Sequence, residues 1–257
     1  MRRHTVDADD AAITFGEATA DALRRSVATR PRRWLVATTL LLGLLAAVAT
    51  TAAPPEDLTF STLSDMVQSL MSVTVPFLGV LLAHDLSRSP RTPRPGPTLL
   101  AAVLLAAAVG LFGILVSAAA LALAPSDTAP DPWQHAATIA VGGVLVQIVA
   151  QLVGTGLGLL LRPTVVACLA TIVLPLGLWA LLGAVDALSP AQAFTPYATV
   201  RNLLSGEMNA AKWAQWLAVL LVWGVGLNAL GVARLKRRRP GDGATPETTT
   251  RDAAPAA

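Results

Sequence analysis

Residues 134–161, QHAATIAVGGVLVQIVAQLVGTGLGLLL, and 164–185, TVVACLATIVLPLGLWALLGAV, are two apolar runs joined only by Arg162-Pro163. At about 1.5 Å per helical residue each can cross a hydrocarbon core of about 30 Å. Neither run holds an ionised side chain. An arginine near the centre of a membrane helix costs roughly 3 kcal/mol, so Arg162 belongs at a water interface, where Pro163 can open the next helix. The stretch reads as a membrane hairpin, and the rest of the chain is read outward from it.

The composition agrees. Hydrophobic residues make up 54% of the 257 and charged residues 14%, and the mean hydropathy is +0.59. That is too apolar, and too poor in charge, for a soluble domain of this length. Between the tails, charges fall in short connections. The single cysteine, Cys168, excludes an internal disulfide and a cysteine-based metal cluster, and is read as a small apolar packing residue.

Upstream of the hairpin, 98–124 is a third span of Ala, Leu and Val, followed by a Pro/Asp turn holding Asp127 and Asp131. Before it lies a stiff basic loop from Leu86 to Pro97 with Arg88, Arg91 and Arg94. The second span, 65–83, carries Gln68, Ser69, Ser72, Thr74 and Pro76, and His84-Asp85 is expected to end it. So polar a helix belongs inside a bundle and not against lipid. The first span is 34–53. Ahead of it, residues 1–33 form a polar, Arg-rich tail in which Ile13 to Val27 can form an amphipathic helix along the interface or a partly formed helix in a solvated tail. A twin-arginine export signal around Arg32-Arg33-Trp34-Leu35 is the rival for the first span, but the leading region is long and contains acids. Downstream, Asp186 to Lys212 is too polar to span, and suggests interfacial helical pieces, one around Tyr197 to Ser205 stopped by Gly206. The sixth span is 213–233, and 240–257 reads as a disordered tail.

The expectation is therefore an all-α polytopic bundle: a cytoplasmic tail (1–33), a six-span domain (34–239) and a second tail. Of the 19 Lys and Arg, all but Arg201 and Lys212 fall on the tail side. By the positive-inside rule both termini face the cytosol, with the chain in the cell membrane. This asymmetry accounts for a pI near 9.7, so no nucleic-acid partner is expected.

No span holds paired carboxylates, a His/Glu cluster or a nucleophile constellation, and His84 and His135 fall at opposite interfaces, so neither catalysis, a metal nor a bound cofactor is expected. Gly154-Thr155-Gly156-Leu157-Gly158 is not a phosphate loop, because no strand precedes it and no Gly-Lys-Ser/Thr follows. Gly154 and Gly158, one turn apart, instead permit a close helix approach. On the same helix Gln147, Gln151 and Thr155 form a stripe every four residues that must face protein or a wet cavity. Interhelical hydrogen bonding and the lining of a transport path both satisfy that requirement, and the same holds for Asn228.

The order of parts resembles the permeases of ABC transporters of the type-two exporter class. The likeness is clearest from Val146 to Pro240. A Gly-rich fourth span ends in Leu159-Leu160-Leu161-Arg162-Pro163-Thr164 and a fifth span follows. An external segment then runs from Leu188-Ser189-Pro190 to Leu203-Leu204-Ser205-Gly206, and the last span closes on Arg234-Leu235-Lys236-Arg237-Arg238-Arg239. Phe15, Glu17, Leu23-Arg24-Arg25-Ser26 and Arg33-Trp34 are similar to the family's cytoplasmic connecting helix. His84-Asp85-Leu86-Ser87-Arg88 stands where the family carries an ATPase-contacting segment, but it is shorter and richer in proline.

The resemblance implies a permease subunit that pairs with a second permease and with two separate cytoplasmic ATPases to move a substrate outward. ATP hydrolysis would belong to the partner, since this chain carries no ATPase motif. It further implies ATPase coupling through Glu17, Arg24, Arg25, Asp85 and Arg88. The path or dimer seam would lie at Gln147, Gln151, Thr155, Gly154, Gly158 and Asn228. The competing expectation is a non-transporting membrane scaffold or regulatory anchor; a third reading, an intramembrane enzyme, is disfavoured by the lack of acids or histidines at depth.

Overall fold

A computed structural model of the chain describes residues 14–88, 95–124 and 129–237. Among these residues every regular element is helical, and six helices are long and apolar enough to cross a membrane. Helix α1 (Phe15–Ser26) precedes the span-length helices α2 (Arg30–Thr50), α3 (Phe60–Arg88), α4 (Pro95–Ala122), α5 (Ala136–Leu160) and α6 (Thr164–Gly183). A 3₁₀ segment, Asp186–Phe194, and the short α7 (Pro196–Leu204) follow. The sixth span-length helix, Ala210–Arg237, comprises α8 (Ala210–Val219), a π-helical segment (Leu220–Gly226) and α9 (Leu227–Arg237). The tail 240–257, Ile13, Arg91, Arg94 and Asp127 lie outside the described residues.

Local chemistry sets the helix ends. Thr14 and Glu17 close a capping box at the start of α1, the Thr14 Oγ1 accepting the Glu17 N–H at 3.2 Å and a Glu17 oxygen accepting the Thr14 N–H at 2.9 Å. The Asn209 carboxamide oxygen accepts the Lys212 N–H at 2.9 Å and opens α8 three residues before Trp213. Helix α3 is longer than the apolar run predicts. Thr59 caps it by accepting the Thr62 N–H at 3.1 Å, and it continues past His84-Asp85 to Arg88. Hydropathy marks where lipid ends, whereas the backbone ladder carries on into the interface. After α7, the stop falls at Gly206, as the sequence predicts. Its φ is +76°, and a Cβ there would sit 2.6 Å from the His135 Cβ.

Helix α5 is the axis of the bundle. It packs against α3, α4, α6, α7 and the last span, and its contact with α3 is the most extensive in the fold. That contact is made backbone to backbone. A Cβ at Gly154 would collide with the Pro76 carbonyl, one at Gly158 would lie 2.8 Å from the Val80 Cα, and one at Gly79 would lie 2.6 Å from the Gln151 carbonyl. Lipid tails are as apolar as leucine, so helices gain little by hiding apolar surface from them, and close van der Waals packing of small residues has to hold the pair together. Helix α3, read from its polar residues as an inside helix, is the most enclosed of the six, with 56% of its apolar window buried, against 11% for α6.

Side-chain contacts gather alternate helix ends on one face. Arg32 at the start of α2 meets Asp85 near the end of α3, His84 of α3 meets Thr164 at the start of α6, and Arg234 of α9 meets the Leu160 carbonyl at the end of α5. Phe15 of α1 lies against Gly96 of α4 at this same end. At the other end Phe60 stacks on Trp133 and Trp179 meets Tyr197 edge-on.

Replacing Gly154 by leucine is expected to destabilise the protein by about 3 kcal/mol or more, the upper end of overpacking costs, because the Pro76 backbone cannot step aside. Gly177, where an added Cβ would meet nothing within 4 Å, should accept leucine without loss. Thermal unfolding of the two variants in detergent distinguishes them; equal melting temperatures would contradict the close α3–α5 contact.

Candidate functional site

The stripe predicted on α5 is fully enclosed: Gln147 and Gln151 are 0% exposed, Thr155 2% and Asn228 4%. Each reaches another helix of the same chain. Gln147 Nε2 donates to the Gln68 carbonyl at 3.0 Å and to Gln68 Oε1 at 2.8 Å, and Gln68 Nε2 passes the chain on to the Gly110 carbonyl of α4 at 2.9 Å. With its amide oriented as the surrounding groups require, Gln151 donates to the Val75 carbonyl at 2.6 Å and accepts the Gly79 N–H at 3.3 Å. These two groups lie next to Pro76, whose missing N–H removes the ladder bond to the Ser72 carbonyl one turn back, so Gln151 ties the backbone beside the proline to α5 without replacing the bond that the proline removes. Thr155 Oγ1 donates to Asn228 Oδ1 at 2.8 Å, and Asn228 Nδ2 donates to the carbonyls of Leu152 and Gly224 at 2.8 and 2.6 Å. Buried Thr39 and Thr74 join α2 to α3 at 2.7 Å.

Gln147, Gln151, Gly154 and Gly158 therefore face α3, and Thr155 faces the last span. The sequence names Gln68 as a polar residue of its span but gives no sign that it is the relay between α4 and α5. A glutamine two turns into a polar membrane helix, opposite a helix with its own glutamines, is the signal that could have found it.

At the end of the bundle that gathers the starts of α2, α4 and α6, the coupling candidates divide. Asp85 is brought into a site; its partner is Arg32, which in the sequence counts as a topology charge and as part of the rival export signal but not as a site residue. Arg32 is 6% exposed. Its guanidinium donates to the Arg25 carbonyl at 2.8 Å, to the Leu81 carbonyl at 3.1 Å and to the Asp85 carboxylate at 2.6 Å. One planar cation thus fastens the end of α1 to the end of α3, using the forked donor geometry that lysine lacks. Arg25 contributes its backbone to this junction, while its side chain pairs with Asp21 one turn back at 3.2 Å, both largely exposed. Glu17, Arg24 and Arg88 are exposed and are not brought into the junction. The hydrogen bonds from Thr14 hold the Glu17 carboxyl below its ordinary value of 4.5. Among the described residues no three His, Cys, Asp or Glu side chains converge as metal ligands would.

Removing Arg32 costs more than removing Asp85. Asp85 is half exposed, so its pairing is worth at most about 1 kcal/mol, whereas Arg32 also supplies charge-assisted bonds to two carbonyls, each class worth roughly 1.5–3 kcal/mol. Arg32→Ala should therefore lower the melting temperature well beyond Asp85→Ala, and the reverse order would contradict this geometry. The cap of α1 depends on pH with a definite sign. A carboxyl whose folded value is lowered stabilises above its ordinary value and loses that contribution as pH falls through the lowered one. Amide hydrogen exchange in the first turn of α1 should therefore accelerate, relative to intrinsic rates, below about pH 4.5 in the native chain and be independent of this titration in Glu17→Gln. Comparison with protein-family models, with curated proteins and with solved structures finds no match for this chain.

Proposed function

We propose that the chain is the permease subunit of an ATP-driven exporter, of the type-two ABC class, with six spans, both termini in the cytosol and α1 lying along the cytoplasmic interface. It would work with a second permease and with separate cytoplasmic ATPases. The observation that carries this reading is the Arg32 junction, which gives a force arriving on α1 a short, bonded route into the transmembrane bundle. Closure of the ATPases would press on α1, and the Arg25 carbonyl, Arg32 and Asp85 would pass the displacement to α3. Because α3 and α5 touch through their backbones, they would move as one body against the more loosely held α6. Exposed Glu17, Arg24 and Arg88 are then available to the ATPase surface.

The enclosed stripe is, in this arrangement, the glue of that body. A second copy would meet the exposed faces of the outer helices, and a path would open where bodies part. The same enclosure favours a second reading, a membrane scaffold or anchor without transport, since every residue of the stripe is engaged in interhelical bonds.

Copurification decides between them. An exporter subunit should retain an ATPase encoded beside it and stimulate ATP-dependent efflux, and the double reversal Asp85→Lys, Arg88→Glu should reduce both several-fold while the bundle still folds. Failure to retain any ATPase with Walker A and signature motifs would favour the anchor, and unaltered retention and efflux in the double variant would remove these residues from coupling.

A further inference from the structure

A groove of about 530 Å³ separates the start of α4 from α9 and the π segment, within the range of small-molecule sites. Pro95, Gly96 and Leu99 form one wall, Val225 and Ala229 the other, and Leu152 of α5 the floor. Asn228 also lines it, but its amide nitrogen is already shared between the Leu152 and Gly224 carbonyls and its oxygen accepts from Thr155. The interior therefore offers an apolar surface with little left to orient a polar ligand.

Two features turn this groove into more than a packing gap. The first is the π-helical segment Leu220–Gly226, a local widening of the helix that recurs at functional sites, with side-chain-free Gly224 facing the groove. The second is charge. Exposed Lys236 stands at the open end, with Arg234 and Arg237 beside it on the same helix end, and no lining residue is acidic. Phe15 of α1 rests against Gly96 and forms a lip over the α4 wall. An apolar groove ending at a cation, set at the basic end of a membrane bundle, matches an amphiphile with an anionic head. The cytoplasmic leaflet supplies such molecules as its acidic phospholipids.

We propose that this groove holds an acyl chain of an acidic phospholipid from the leaflet that faces the tails, with the lipid phosphate at Lys236. The assignment rests on the chain spanning a membrane with its basic end in the cytosol, and not on export; a scaffold would bind the lipid equally well. Bound there, the lipid would bridge the α4 wall and the last span across the groove, close to Phe15 of α1.

The full chain, purified in detergent, tests this by native mass spectrometry and thermal unfolding with phosphatidylglycerol, phosphatidylcholine or glycerol 1-phosphate added. Phosphatidylglycerol should be retained over phosphatidylcholine and should raise the melting temperature, and glycerol 1-phosphate alone should do neither. Lys236→Ala should weaken phosphatidylglycerol retention about fivefold, the effect of one basic residue near a charged surface, and leave phosphatidylcholine unchanged. Ala229→Phe, or, if that does not fold, Ala233→Phe one turn further along the same groove wall, should block retention of both lipids, whereas Val173→Phe on the exposed face of α6 should not. Equal retention of the two lipids, an unchanged Lys236→Ala protein, or protection by glycerol 1-phosphate as strong as by the lipid would overturn the proposal.

Discussion

The fold depends on one contact, the seating of α5 on α3 at Gly154 and Pro76. In a membrane there is no water to drive apolar side chains together, so a bundle coheres only where helices come close enough for many weak contacts to add and for polar groups to find one another. Glycine supplies the closeness at Gly79, Gly154 and Gly158. Closeness then supplies the hydrogen bonds, because Gln151 can reach the backbone on both sides of Pro76 only from a helix lying directly against it. Proline and glutamine stand side by side: one removes a ladder bond from α3, and the other ties the neighbouring backbone to α5.

From this contact the polar interior spreads in two directions. Gln147 leads through Gln68 to the backbone of α4, and Thr155 leads to Asn228 of the last span, so that α5 is bonded directly to α3 and the last span and, through Gln68, to α4. Such bonds average only about 0.6 kcal/mol each in a membrane bundle, but they are directional, and they fix the rotation of each helix as well as its position. Helices outside this network behave differently. Of the 20 residues of α6 only Ala167 and Thr171 are buried, and it leans on the bundle through apolar surface and its ends. The bundle is thus a stiff centre with a softer periphery, the division of labour that the exporter reading requires of a body that tilts.

Much of this was legible in the sequence, for a physical reason. Lipid rejects charge strongly enough that every run without Asp, Glu, Lys or Arg declared itself, and each of the six predicted spans corresponds to a span-length helix. The Gly154 and Gly158 spacing and the Gln147, Gln151, Thr155 stripe were equally visible, because a period of four maps directly onto one helix face. What could not be read was partnership. Arg32 is one of several arginines before the first span, and its burial follows from where Leu81 and Asp85 happen to lie, some fifty residues on. Gln68 is one of several polar residues on α3, singled out only by the helix opposite. Helix ends shifted because caps such as Thr59 and Asn209 act in water and not in lipid, and the π segment Leu220–Gly226 leaves no trace in a pattern dominated by Leu, Val and Gly.

The placing of α3's partners also sets a timetable for synthesis. Thr74 finds Thr39 on a helix made earlier, so one of its polar groups is satisfied as it leaves the translocon. Gln68 must wait for α4 and then α5, some forty and then eighty residues later, before its amide is occupied. During that interval the nascent helix carries an unmet carboxamide into the bilayer. A ribosome that stalled between the two spans would therefore leave behind an intermediate prone to capture by membrane chaperones and quality-control proteases.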